Sequence, residues 1–188
     1  ATLSETMPPS ITVASGLSTR ANWKEGFWAK KGNAVSKLYA AKAVSLLLSN
    51  LEQSVKTNHI RHRTSMAIAS AMAGVSLGAA GTTLCQALAY PLTIEYGIDH
   101  GVASALTLAD AYQFNKGGFV DEQYFEELLV KGIHHQSLGN FVKHVCTLAE
   151  IPTRLADYGI TREVLPEIAE KAFNQKLIEN NPKEADIN

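Results

Sequence analysis

From Thr64 to Ile94 the sequence has no charged side chain. A stretch of that length is compatible with a membrane span, for which about 18 apolar residues suffice. Its composition argues against one. Ala, Gly, Ser and Thr dominate over Leu, Ile and Phe, and Gly81-Thr82-Thr83 breaks the stretch near its middle. We expect a buried central helical hairpin, no membrane association, and close approach of a second helix at Gly74 and Gly78. Cysteine is scarce as well. Cys85 and Cys146 lack Cys-x-x-Cys spacing and sit in apolar helical contexts, which points to buried free thiols in a reducing compartment. There is no block of like charge and the formal net charge is −1, so no nucleic-acid or membrane-surface partner is expected. No basic segment followed by an apolar one opens the sequence, so no signal peptide is expected and the cytoplasm is the expected location. No period-2 alternation is sustained, which excludes a sheet. No G-x-G-x-x-G follows a strand, and Gly117-Gly118 falls in an inter-helix loop, so a nicotinamide cofactor has no binding motif.

What is present is helical. With 46% hydrophobic and 19% charged residues, the 188-residue chain is an ordinary globular sequence. A chain this long buries about 70% of its unfolded surface without staples. We expect one all-α domain over 1–188, with an extended N-terminal arm over 1–15 and a frayed tail over 180–188. Ser15 or Ser18 is the expected N-cap of a first helix that runs to about Lys31 and is ended by Gly32. Asn33 caps the next, from Ala34 to about Lys56, whose Val44, Leu47, Leu48, Leu51 and Val55 form one apolar stripe. His59–Arg63 reads as a polar loop and first helical turn rather than a functional patch. Further helices follow from Arg63, from His100 to about Asn115, from Asp121 to Gly132, and from Ser137 through Ala149. In the Asp121 helix Tyr124, Phe125, Leu128 and Leu129 should face the core. His134-His135-Gln136 is read as a loop, Ile151-Pro152 as a break, and Thr161 as the cap of the last clear helix.

Several segments together resemble a known family. The run Ala87 to Leu92 (ALAYPL), then Tyr96-Gly97-Ile98-Asp99-His100-Gly101-Val102-Ala103 and Phe114-Asn115, is similar to the signature of iron-containing (group III) alcohol dehydrogenases. That signature is roughly H-A-x-A-H-P-L-G…Y-x-I-P-H-G-x-A-N-A. Upstream, Leu3-Ser4, Met7-Pro8-Pro9-Ser10 and Ala14-Ser15-Gly16-Leu17-Ser18 resemble the family's L-T-x-x-L-P-P…A-x-T-G-M-D-A-L-x-H. Downstream, Glu150-Ile151-Pro152, Leu155, Tyr158-Gly159-Ile160 and Asn181-Pro182 resemble the end of the same domain. The resemblance implies the helical C-terminal domain of the family, which holds its metal. It also implies that the N-terminal Rossmann-like domain, which holds the nicotinamide cofactor, is absent.

The resemblance fails at the ligands. The family's metal Asp falls on Ser18 and its first metal His on Asn22; the next metal His falls on Gln86, and a nearby active-site His on Tyr90. His100 alone keeps its ligand type. A catalytic iron or zinc site needs three or four donors drawn from His, Asp, Glu and Cys, so neither metal nor nicotinamide is expected as a cofactor. Ser18 and Asn22 share a helix face, as do Gln86 and Tyr90, and in the family's fold the five converge on one pocket. All five are hydrogen-bonding types. That fits a preserved polar cavity, and equally a satisfied internal network.

If a ligand binds, His100 is the general acid or base, Tyr90 a donor, and Asn22 and Gln86 orient a carbonyl; Ser18 is a weaker candidate. Arg20, Lys24 and Glu25 are expected at the surface, and Trp23, Phe27 and Trp28 in the core bordering the pocket. The remaining histidines, His144 among them, show no carboxylate or Cys at ligand spacing. Three functions follow from these residues. One is a cofactor-free proton-transfer enzyme of cyclase, dehydratase or isomerase type, acting on a small carbonyl or polyketide-like substrate. The second is a non-catalytic scaffold or binding protein. The third is the helical half of a split oxidoreductase. In each, a second copy or a partner protein is expected to cover the face left by the missing domain.

Overall fold

The computed structural model describes residues 2–132, 137–173 and 176–185. Among them it contains eight α-helices and no strand: α1 (Pro9–Trp28), α2 (Ala34–Thr57), α3 (Ile60–Ala80), α4 (Leu84–Tyr96), α5 (His100–Asn115), α6 (Glu122–Gly132), α7 (Leu138–Leu148) and α8 (Leu165–Phe173). This is the all-α class expected. Helix α1 lies at the centre, packed by α2, α3 and α5, with α4 against α5 and α8 behind α4. The expected loop at His134-His135-Gln136 lies outside the described residues.

Local signals place most helix ends. Asn33 accepts from Val35 N and Ser36 N while Ser36 Oγ accepts from Asn33 N, a full capping box for α2. Gly81 ends α3 at φ 77 and Gly97 ends α4 at φ 65, conformations that favour glycine. Asp99 Oδ1 accepts from Gly101 N at 2.9 Å and caps α5, and Ser137 does the same for α7.

Two terminal expectations are corrected. The arm expected over 1–15 is not extended where it is described, from residue 2: a 3-10 turn spans Thr2–Ser4 and α1 begins at Pro9. Proline suits the first helical position because its missing N–H would have no partner there. Ser15 and Ser18 therefore lie inside α1 and cap nothing, and the helix stops at Trp28 rather than Lys31. The tail is not frayed as far as it is described. The Asn180 side chain accepts from Lys31 N (3.1 Å) and donates to Ala80 O (2.8 Å) and Thr82 O (3.0 Å). Asn181, fully buried, exchanges two hydrogen bonds with Asn115 at 3.0 and 2.8 Å. Asn180 thereby satisfies backbone groups just beyond α1 and at the end of α3, while Asn181 pairs with a side chain of α5.

The aromatic core forms as expected. Trp23, Phe27 and Trp28 are buried, and their rings gather around Phe125 with centroids 5.3, 5.3 and 5.9 Å away. Tyr124, expected inside, is half exposed. Along α3 the inward residues are Ala69, Ala73, Ser76 and Ala80, while Gly74 and Gly78 face outward with no neighbour within 4 Å. The expected close approach lies elsewhere. A Cβ on Gly26 would sit 2.0 Å from Ser76 Oγ, and one on Gly101 would sit 2.0 Å from Ala14 O of α1. Nor is α3 wholly buried: Ile68 and Val75 are exposed. No single helix among the described residues is long and apolar enough to cross a membrane; α3 and α4 meet that test only as a pair bent by 112°.

Substitution at these glycines separates the two faces. Gly101→Ala must push α5 off a backbone carbonyl and is expected to cost about 1–3 kcal/mol or more in denaturant unfolding. Gly74→Ala meets open space and is expected to be neutral or to stabilise by up to about 1 kcal/mol.

Candidate functional site

The site is assembled by two contacts to α1. Gly101 brings the start of α5 against the Ala14–Ser18 turn, which sets His100 beside Ser18. Glu25, three residues beyond Asn22, does the rest. Its Oε1 accepts from Thr83 N (3.0 Å), Thr83 Oγ1 (2.8 Å) and Gln86 N (3.1 Å), so an α1 carboxylate serves as the N-terminal cap of α4. Trp28 Nε1 donates to Thr83 Oγ1 at 3.0 Å and locks the same corner to the aromatic core.

That cap brings Gln86 opposite Asn22. Gln86 Nε2 donates to Asn22 Oδ1 at 3.0 Å, which leaves Gln86 Oε1 to face His100 Nε2 at 2.6 Å. An amide oxygen can only accept, so Nε2 of His100 donates in this contact, and in the neutral ring Nδ1 has the lone pair. Thr93 Oγ1 lies 3.5 Å from Nδ1. The Tyr90 ring packs on the imidazole with centroids 5.3 Å apart, yet Tyr90 is exposed. Of the five residues expected to converge, Asn22, Gln86 and His100 form one hydrogen-bonded chain. Ser18, Asn22 and His100 line a cavity of about 270 Å³, together with Ser15, Ser70 and Asp99. Neither Tyr90 nor Gln86 lines it.

Sequence reasoning missed Thr93, Asp99 and Ser70. Thr93 had a readable signal, since Gln86, Tyr90 and Thr93 recur at helical spacing on one face of α4. Ser70 had none, because only the packing of α3 on α1 brings it to the cavity. A larger hollow of about 800 Å³ lies between α5, α6 and α7, but beside it stands a surface network, with Tyr112 Oη donating to Glu126 and Lys116 paired to the same carboxylate.

The expectation that Arg20, Lys24 and Glu25 are surface residues is overturned: all three are fully buried. Beyond the face of Ile11, Ser15, Ser18 and Asn22, their helix is enclosed from Thr12 onward, and these three charges lie on the enclosed faces. Burial pushes the Glu25 carboxyl up to about 7, against the opposing hydrogen bonds from Gln86 and Thr83. Burial pulls Arg20 down to about 9, and its guanidinium lies 4.2 Å from the centroid of the Phe141 ring. Lys24 is held well below the ordinary lysine range by burial and then by Arg20. His144, expected to lack a carboxylate, lies 3.3 Å from Glu52 Oε1, supplied by α2 far away in sequence.

The donor set does not fit a catalytic metal. One imidazole is joined by neutral amides and a hydroxyl, and two of those amides are already bonded to each other. Among the described residues no group of three or more His, Cys, Asp or Glu is arranged to hold an ion.

Residues 12–188 match the C-terminal domain of the Fe-containing alcohol dehydrogenase family, and the chain belongs to that family. It is similar to lactaldehyde reductase of Escherichia coli K12, 27% identical over 96% of this chain and 49% of that protein. It is also similar to 1,3-propanediol dehydrogenase of Klebsiella pneumoniae, 28% identical over 94% of this chain and 48% of that one. Among solved structures, sulfoacetaldehyde reductase from Bifidobacterium kashiwanohense in complex with NAD+ superposes with a TM-score of 0.84. It is 28% identical and covers 98% of this chain and 49% of that one. A 1,3-propanediol oxidoreductase superposes at 0.86, 26% identical over 97% of this chain and 50% of that one. The chain thus spans about half the length of the relatives it matches.

The Glu25 cap carries a pH signature. Its folded value lies above its unfolded one, so between about pH 4.5 and 7 the folded protein holds a proton the unfolded chain releases. Stability from this group is therefore present at low pH and falls as pH rises through that window, by on the order of 3 kcal/mol. Glu25→Gln keeps an accepting oxygen and removes the titration. The stability of wild type relative to Glu25→Gln is expected to decline from pH 4.5 to 7 in urea titrations; parallel curves would contradict the assignment.

Proposed function

We propose that this domain performs proton transfer on a carbonyl substrate, small or polyketide-like, with no metal at the Asn22–Gln86–His100 array. The reaction is a cyclisation, dehydration or isomerisation. The observation that carries the proposal is the 2.6 Å contact from Gln86 Oε1 to His100 Nε2. It fixes one tautomer and leaves Nδ1 as a base, and imidazole is the side chain that exchanges protons near neutral pH.

In this reading His100 Nδ1 takes a proton from the carbon next to the carbonyl. Asn22 Nδ2 and the Ser18 hydroxyl donate to the oxygen that gains charge. The imidazolium then returns the proton to a neighbouring carbon, or to a departing hydroxyl that leaves as water. Gln86 is bonded at both ends and acts as a positioning residue. Tyr90 shields the imidazole rather than donating. Relatives named for lactaldehyde, sulfoacetaldehyde and propanediol support an oxygenated, carbonyl-level substrate. A second reading, the helical half of an oxidoreductase, is favoured by the coverage of about half of each relative.

Hydrogen–deuterium exchange at the methylene of hydroxyacetone, followed by NMR in EDTA-containing D₂O, tests the first reading. The protein is expected to accelerate exchange, and His100→Ala to lower that acceleration by about 100-fold or more with helicity retained. Gln86→Leu is expected to lower it less and to displace its pH profile. No acceleration, or equal rates in wild type and His100→Ala, would contradict the reading. Turnover that appears only with added metal and NADH would favour the oxidoreductase half.

A further inference from the structure

The cavity at His100 adjoins a second hollow. Ser15, Thr19 and Ser70 line the first and also a groove of about 510 Å³ that runs between α1 and α3 towards Arg63. The two therefore lie side by side along the first helix, and the groove alone has the size of a small-molecule site.

The groove is built for hydrocarbon. Met7, Met66, Ala67 and Ala71 supply thioether and methyl surface, and thioethers adapt to a flexible guest. Three of its hydroxyls look polar in sequence and are engaged in the structure. Thr12, Thr19 and Ser54 each donate to the carbonyl four residues back on their own helix, at 2.9, 3.0 and 2.8 Å. A threonine whose proton is so engaged turns its methyl outward and offers a ligand no donor. No carboxylate lines the groove. Arg63, at the far end, is nearly buried and braces the wall: its Nη2 donates to Met7 O at 2.9 Å and its Nε to Asn58 Oδ1.

We infer that the substrate is elongated, with its carbonyl head at His100 and an aliphatic tail laid along the α1–α3 groove. This rests on the proton-transfer reading for the head and adds the tail. Chain length, rather than the head, then selects among carbonyl compounds that the polar end accepts alike.

Primary carboxamides carry the carbonyl without reacting, so propanamide, butanamide, pentanamide and hexanamide serve as probes. Binding is read from NMR shifts of the His100 ring, which tolerates millimolar ligand. Affinity is expected to rise about two- to fourfold per methylene, so about eightfold or more across the three added methylenes. Ala67→Phe and Ala71→Phe fill the groove from exposed positions that do not line the His100 cavity. They are expected to keep the affinity for propanamide and to lose the gain with length. If all four amides shift His100 with equal affinity, the tail is overturned and the head reading stands. A gain that persists in both variants also overturns it, since the tail then lies elsewhere. If no amide perturbs His100, the head reading itself fails.

Discussion

Glu25 is a carboxylate held away from water, and one of its oxygens takes three hydrogen bonds from Thr83 and Gln86 at the start of α4. Removing a carboxylate from water is costly, which is why the group is pushed up to about 7. Leaving the first turn of α4 without acceptors inside the core would also be costly. The two burdens offset each other at one point. Because the acceptor is a side chain of α1, the start of α4 has a single place to sit. Thr83 passes the constraint on, since its hydroxyl also takes the indole proton of Trp28. The aromatic core, the helix cap and the polar site are thus joined through a few atoms.

From that corner the site follows almost by geometry. Gln86 has its backbone on Glu25 and its side chain on Asn22 and His100. The other half is a matter of space. Gly101 has no side chain, so α5 can rest on the carbonyl of Ala14 and bring His100 to the wall of α1. A cap and a glycine, on different helices, set the imidazole, the amide and the serine around one small cavity. The side chains that do the chemistry in this account are held by neighbours that do none.

Much of this was legible in the sequence, for identifiable reasons. Caps and breaks are local, and Asn33, Gly81 and Ser137 act where their chemistry says they should. The wide aromatic residues Trp23, Phe27 and Trp28 had nowhere to go but inside. The convergence of Asn22, Gln86 and His100 came from order and spacing that resemble a family. What was not legible depended on distant partners. Arg20, Lys24 and Glu25 look like surface charges because lone charges seldom lie buried, and the groups that meet Arg20 and Glu25, namely Phe141, Thr83 and Gln86, are remote in sequence. Gly74 and Gly78 suggested a helix contact that belongs to Gly26 and Gly101, because glycine content does not reveal which face turns inward. Asn180 and Asn181 read as tail until their partners, the end of α3 and the Asn115 side chain, are known.

The central claim is that a buried carboxylate on α1 fixes the state of an imidazole on α5. Nitrogen-15 NMR of the His100 ring tests it most directly, in the wild type and in Glu25→Ala. The expected result is a neutral ring protonated at Nε2 in the wild type. In Glu25→Ala a mixture of tautomers is expected, with helix content retained. A ring protonated at Nδ1, or a tautomer unchanged when Glu25 is removed, would contradict the account.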